Sequence, residues 1–472
     1  MLQFIFRGFF IESSFKSLIK IDISSLKIMK ERLDKFIKNP KKALFKFSLP
    51  IMVAMLVQTM YSIVDTAYIG RLGAEAIAAV TFSFPVFFIL MALGSGMSTG
   101  MSSLISRYLG AENKTAAENT AVHGIILAVI GAVFLSALGF LFIKPLVSLF
   151  GAEDVVFSLA IDYLHIIFFG IVFMFPSFIM TNIFVAQGDT KTPMKIQISA
   201  LVLNIILDPI FIYGLGYGVR GAAIATTISF GFGLILAVFY LIRKSYLRIH
   251  WDCFNLSGYI TKEIFIIGIP ASLTMLLISF YMIFINRIMA HFGTDYIASF
   301  GIAARLDSVV LMPVMAIAIG IMTLVGMFKG AKKYGLLKEI SYYGIKVGVL
   351  IAIVLGAIFF IMPSLLLRMF TNDTNLLMLG SAYLRVIVFG YPFMAVGIIV
   401  SRVMQGMGYG MPSLVLSLVR ILFVAVPLAY VFVFVFGFGY LSIGAAVVIG
   451  GLVANAVALV WLKVKIAKLH NS

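Results

Sequence analysis

The chain has 472 residues, 62% apolar and only 12% charged, about half the charged share of a soluble globular protein, so water cannot be its main solvent. Lys and Arg number 36 against 19 Asp and Glu, a formal net charge of +17 that in a soluble chain would suggest nucleic acid and here must first be located. The single cysteine, Cys253, excludes an internal disulfide and a thiolate metal centre.

Residues 1–45 interleave Lys and Arg with Ile, Leu and Phe at loosely helical spacing. Two readings fit: an interfacial helix on anionic lipid, or, the favoured one, a basic arm that holds its side of the membrane without a separate activity. Met1–Phe15 has neither a long apolar run nor a small-residue cleavage site, so it is not read as a secretory signal, and Met29 offers an alternative start.

Apolar runs long enough to cross a bilayer follow at 46–69, 77–104, 120–143, 157–185, 193–214, 221–242, 263–290, 296–327, 344–362, 376–405, 412–436 and 441–462. They are continuously apolar, which predicts helices and not the alternating strands of a barrel. The joints are short and hold no soluble domain. The expected protein is all-α and integral to the membrane, with a basic arm (1–45), an N-lobe (46–242), a polar linker (243–262), a C-lobe (263–465) and a tail (466–472).

Along these spans the polar residues are few. In the first, Gln58, Tyr61 and Asp65 share one helical face, and Pro50 lies about four turns earlier, where its missing N–H permits a kink. In the second, Gly96-Met97-Ser98-Thr99-Gly100 has the outline of a hydrolase elbow, but inside a span the pair Gly96 and Gly100 reads as close helix packing. His123 and His165 read as packing residues. In the fifth, Asn204 and Asp208 share a face and Pro209 follows; the sixth carries Thr226 among small residues. Arg305 and Asp307 point to different faces of the eighth, with structural pairing and a role in cargo or gating both open. Arg402 and Arg420 read as snorkelling to the cytoplasmic surface.

Assigning Lys and Arg to alternate sides leaves about five on one face and about 26 on the other, the side of both termini. Both termini are therefore expected in the cytoplasm, and the surplus charge reads as topology and not as a nucleic-acid footprint.

Sliding the chain by 220 positions aligns 50–111 with 270–331 without a gap, matching Pro50 to Pro270, Tyr61 to Tyr281, Gly100 to Gly320 and Gly110-Ala111 to Gly330-Ala331. Further on, Tyr163-Leu164 meet Tyr383-Leu384, and two residues of slippage bring Gln187-Gly188 onto Gln405-Gly406. Six crossings per repeat return the chain to its starting side, so the halves share one orientation and should form two facing six-helix bundles with a cargo site near mid-membrane. Asp65, Asp208 and Asp307 are the acids deep in spans, each costing about 2.5–3.5 kcal/mol at a helix centre, which makes them functional candidates unless paired with an intramembrane Arg. The positions equivalent to Asp65 and Asp208 are Ile285 and the Ala425–Pro427 region, so an ion site is expected in the N-lobe alone. Two carboxylates with amide and hydroxyl oxygens suit a proton or Na⁺.

The run from Pro50 through Gln58-Thr59-Met60-Tyr61-Ser62-Ile63-Val64-Asp65 to Gly73, with Gln187-Gly188-Asp189-Thr190-Lys191-Thr192-Pro193 and Asn204-Ile205-Ile206-Leu207-Asp208-Pro209, resembles the multidrug and toxic compound extrusion (MATE) family over about residues 45–465. It is most similar to the branch named for DNA-damage-inducible protein F, including its archaeal members. The resemblance implies a cation site of Asp65, Asn204, Asp208 and Thr226, and bending of the first span at Pro50. It also implies a cell-membrane antiporter exporting amphipathic or cationic small molecules in exchange for H⁺ or Na⁺, with Gln58, Tyr61 and Tyr163 joining the ion site to the cargo cavity. The acidic C-lobe site of the other bacterial branch is missing here, and the arm is longer than the family leads one to expect. No cofactor beyond the coupling ion, no catalytic set and no P-loop is expected, and the working unit is expected to be a monomer in contact with lipid. A flippase of lipid-linked saccharides on the same scaffold is the alternative, and a channel the weaker one.

Overall fold

The structure, a computed structural model, describes residues 29–149, 151, 153–249 and 254–470. The arm before residue 29 and Cys253 lie outside the described residues. Every regular element among the described residues is helical. A helix over 29–38 leads into twelve apolar spans. The first six are Pro40–Gly70, Ala74–Gly110, Lys114–Ser148, Asp154–Ala186, Lys191–Gly214 and Gly218–Lys244. The second six are Gly258–Met289, Thr294–Gly330, Tyr334–Ile361, Thr374–Gly406, Met411–Val435 and Leu441–Leu469.

Several spans are longer than their apolar runs. The ninth starts at Tyr334, ten residues before the run at 344, because its first turns are amphipathic: Leu337 and Ile340 are buried while Lys338 and Glu339 face outward. The second continues past its apolar run to Gly110 and carries Arg107 in its last turn, where a cation suits the carbonyl end of the helix. Hydropathy senses the lipid-crossing part only, whereas backbone hydrogen bonding carries the helix on until a cap or a glycine stops it. Gly73 and Gly293, at φ 115° and 123°, make the same turn before the second and eighth spans, conformations that a side chain would strain.

The internal repeat is visible in the packing. The first span lies on the fifth, the second on the fourth and the fourth on the sixth; likewise the seventh lies on the eleventh, the eighth on the tenth and the tenth on the twelfth. The lobes meet chiefly where the second span packs on the seventh and the eighth on the first. Gly96 and Gly100 make the former possible, since a Cβ on either would collide with the Gly268 or Ile264 carbonyl. The second and eighth spans also touch each other reciprocally, Gly110 against the Met327 carbonyl and Gly330 against the Arg107 carbonyl, partners related by the 220-residue offset.

The linker is docked on the N-lobe. Tyr246 Oη donates to the Gln187 carbonyl (3.0 Å), the Arg248 N–H donates to Glu118 Oε1 (2.7 Å), and the Ser257 N–H donates to His123 Nε2 (3.1 Å). Burial pushes the Tyr246 phenol above its ordinary range.

Candidate functional site

On the side remote from the termini, six of the polar residues singled out from sequence come together inside the N-lobe. The first, fourth, fifth and sixth spans surround the cluster and bring to it Asp65 and Tyr61, Tyr163, Asn204 and Asp208, and Thr226, respectively. Asn204 Nδ2 donates to Asp208 Oδ1 at 3.0 Å, and both residues are buried, Asp208 completely. The side chains of Asp65 and Asp208 meet, and Tyr61 and Tyr163 lie within electrostatic reach of both. Thr226 is in hydrogen-bonding range of Tyr61. Asp208 Oδ2 is buried without a hydrogen-bond partner among the described residues. Neither carboxylate pairs with Lys or Arg there, so the alternative of a buried ion pair is not what the structure shows.

Local structure explains how these side chains are aimed. Pro209 has no N–H to give the Ile205 carbonyl, and the helix widens directly afterwards into a π-helical turn over Ile210–Gly214. The cluster lies five to ten residues from the remote ends of its spans, about 8–15 Å along the axes. That is nearer the remote face than the mid-membrane position expected for cargo. Toward the middle, Gln58 Oε1 accepts from Gln197 Nε2 at 3.0 Å. Gln197 was not singled out from sequence. Its signal is its place seven residues before Asn204 and eleven before Asp208, on the same helical face.

Pro50 sits within an unbroken first span, about 22 Å along the axis from Asp65. The lobes are joined on the terminus side: Arg107 pairs with Glu263 at 2.9 Å, Ser103 Oγ donates to the Gln405 carbonyl at 2.5 Å, and Thr323 Oγ1 donates to the Val185 carbonyl at 3.3 Å. Arg402 does not snorkel: its Nη1 donates to Thr99 Oγ1 across the lobe interface (3.2 Å) and to Gln405 Oε1 (3.1 Å). Arg420 lies in the π-helical stretch Val419–Ala425 within the eleventh span, beside Tyr281. In the C-lobe Asp307 accepts from Tyr391 Oη at 2.5 Å, with Tyr281 and Tyr383 near it.

No group of three or more His, Cys, Asp or Glu gathers as a metal centre among the described residues. The N-lobe set is two carboxylates, an amide and hydroxyls, all hard oxygen donors apart from the amide nitrogen already given to Asp208. Such a set suits a proton or an alkali cation better than a transition metal.

Comparison with known proteins agrees with this architecture. The FAD transporter of Shewanella oneidensis is 31% identical over 396 residues, covering 82% of this chain and 87% of its own. Multidrug export protein MepA of Staphylococcus aureus is 28% identical over 393 residues, covering 83% and 87%. Among solved structures, a MOP superfamily transporter from Pyrococcus furiosus superposes with a TM-score of 0.88 at 32% identity, over 92% of this chain and 97% of that one. A crystal structure of MATE in the straight conformation does so with a TM-score of 0.88 at 33% identity and the same coverage. The MatE family model matches residues 50–210 and 270–431, one match in each lobe, and the chain belongs to that family of membrane transporters.

Proposed function

We propose that this chain is a secondary active antiporter of the cell membrane, with both termini in the cytoplasm. It exports amphipathic or cationic small molecules in exchange for H⁺ or Na⁺ and works as a monomer by alternating access of its two lobes. The observation that carries the reading is the contact of Asp65 with Asp208, one of whose oxygens has no hydrogen-bond partner among the described residues. Two carboxylates in contact away from water repel each other unless a proton or small cation lies between them. Loaded, the pair is neutral and the surrounding helices can close over it. Emptied, its negative charge draws either the next ion or the positive end of a cargo. Asn204 holds one carboxylate in place, Thr226 and Tyr61 complete the ion's surroundings, and Tyr163 and the Gln58–Gln197 pair extend the network toward the space between the lobes. Pro50 leaves the Lys46 carbonyl without its helical partner and so lowers the cost of bending the first span.

The names of the relatives MepA and YoeA, a multidrug export protein and a probable multidrug resistance protein, support the cargo class. A potential of 100 mV is worth about 2.3 kcal/mol per net charge, so one ion per cycle supports about a fifty-fold gradient of an uncharged cargo, whereas one-for-one exchange with a monocation is electroneutral and draws on the ion's concentration gradient alone. A second reading, a flippase of lipid-linked saccharide or lipid, is favoured by one observation: Arg420, beside Tyr281, makes no ion pair among the described residues and so offers a cation to an anionic headgroup. For the Pyrococcus relative, reverse polarity of the binding pocket is described as suggesting a different function.

The test is transport in vesicles with pH and Na⁺ gradients imposed separately. Efflux of a fluorescent cation should follow one of them and fall at least about tenfold in Asp65→Asn. If Asp65→Asn pumps as well as wild type, the coupling assignment is wrong. Cargo flux indifferent to both gradients would mean a channel, and movement of a lipid-linked saccharide without them a flippase.

A further inference from the structure

On the terminus side, away from the acid pair, the helix over 29–38 and the start of the first span wall a cavity of about 690 Å³ against the N-lobe. One wall carries Arg32, Lys35 and Lys38 from the helix over 29–38, and Lys42 and Lys46 from the start of the first span, each set at helical spacing and the two sets joined at the non-helical Asn39. The facing wall carries Lys191 and Lys195, one turn apart at the start of the fifth span, and Lys244 at the end of the sixth. Eight cations therefore surround one cavity. Its single carboxylate, Asp189, is already engaged: Oδ1 accepts from the Lys191 and Thr192 N–H groups at 3.1 Å each, and Oδ2 accepts from Thr192 Oγ1 at 2.8 Å. None of the eight pairs with a carboxylate among the described residues; Arg32 lies over the Tyr246 ring and Lys244 over Tyr240.

Topology alone places cations on this side of the membrane; it does not fold them around a cavity. What does so is a built contact. Met29, Leu33 and Phe36 are buried, Phe36 packs edge-on against Phe47 with ring centroids 4.9 Å apart, and both rings press on Gly188, where an added Cβ would come within 2.7 Å of Phe47. Gly188 sits at φ 76°, so the loop before the fifth span and the arm are fitted to each other. Like charges gathered this way raise one another's energy, and a multivalent anion relieves all of them at once. The volume is that of a small-molecule site, and Lys is a point-charge donor suited to phosphate oxygens.

We propose that this cavity binds a phosphate-bearing polyanion, supplied either by the headgroup of an anionic phospholipid in the adjoining leaflet or by a soluble polyphosphate. The site lies apart from Asp65 and Asp208, so its failure would leave the antiport reading untouched.

The test uses the purified full chain, with inorganic pyrophosphate titrated in neutral detergent, and separately nanodiscs of phosphatidylcholine with or without cardiolipin, whose headgroup carries two phosphates, the thermal unfolding midpoint being read in each. A triple variant, Lys42→Gln with Lys46→Gln and Lys195→Gln, removes charge from both walls; Lys262→Gln with Lys338→Gln removes it elsewhere on the same side. All five of these side chains are exposed, so the unliganded midpoints should match wild type. Saturable stabilisation by pyrophosphate, at least about tenfold weaker in the triple variant and unchanged in the control, identifies a soluble ligand. Stabilisation by cardiolipin alone, lost in the triple variant only, identifies the lipid. If neither probe shifts the wild type, or if the triple variant responds like the control, the cations are an ordinary solvated face and the proposal is wrong.

Discussion

In the N-lobe Asp65 of the first span meets Asp208 of the fifth, while the C-lobe holds Ile285, fully buried, and the Ala425–Pro427 stretch at the repeat-related places. In the C-lobe Asp307 meets Tyr391, while 220 positions earlier the N-lobe holds Phe87 and Ile171. Each lobe has a polar cluster where the other is apolar, yet both keep the tyrosines related by the offset, Tyr61 with Tyr281 and Tyr163 with Tyr383. The glycines of the interface behave in the opposite way: Gly110 and Gly330 do the same work at symmetric places. Packing that must close on itself is kept in both repeats, because each half supplies the surface that the other fits. A titratable side chain inside the membrane carries a standing energetic cost and persists only where a function offsets it.

The sharpest way to break that contrast is at the acids. Asp208→Asn should lower ion-driven efflux in vesicles by an order of magnitude or more, as Asp65→Asn does, whereas Asp307→Asn should leave the ratio of ions to cargo unchanged. Loss of coupling in Asp307→Asn with coupling intact in Asp208→Asn would reverse the assignment of the lobes.

Next comes the symmetric half of the contrast. Gly110→Ala and Gly330→Ala each drive a methyl into a carbonyl of the opposite lobe and should each destabilise by about 1–3 kcal/mol. The two effects should be nearly equal, seen as matching drops in the thermal midpoint. A large difference would mean that the lobes do not share the interface evenly.

These lobes were legible in sequence to different depths. Asp65, Asn204 and Asp208 stood out because an acid or amide at helical spacing in an apolar run has few explanations, and the offset of 220 showed that they are not repeated. Gln197 escaped because it lies close to the basic start of its span, where a polar residue is unremarkable until its partner Gln58 is seen. Arg402 and Arg420 were misplaced for a related reason. Snorkelling is the sensible default for a cation with no acid at close spacing, but Arg402 finds Thr99, 303 residues away in the other lobe. Asp307 and Tyr391 are 84 residues apart, and only the packing of the eighth span on the tenth joins them.

That pair gives a smaller effect. Tyr391→Phe removes one hydrogen bond to a carboxylate, a loss of about 1.5–3 kcal/mol. If the C-lobe cluster orients cargo, the change should appear in the cargo KM, at about tenfold, with maximal ion-driven flux kept. A stability loss without any change in KM would make the pair structural.

The smallest effect tests whether the terminus side repeats the contrast. Gln187 and Gln405 are repeat-related, but the Gln187 carbonyl accepts from the linker's Tyr246, whereas the Gln405 carbonyl accepts from Ser103 of the opposite lobe. Tyr246→Phe keeps the ring under Arg32 and deletes only the phenolic donor, so it should cost about 1 kcal/mol in unfolding and leave efflux unchanged. Because burial raises the phenol's pKa, the folded chain holds that proton more tightly than the unfolded one. The docking should therefore be fully present below about pH 10, the range of a free phenol, and weaken as pH rises above it. Loss of wild-type stability in that alkaline range should be shallower in Tyr246→Phe. If Ser103→Ala, which cuts the corresponding bond across the lobes, proves as silent in transport as Tyr246→Phe, the two glutamines differ in partner but not in consequence.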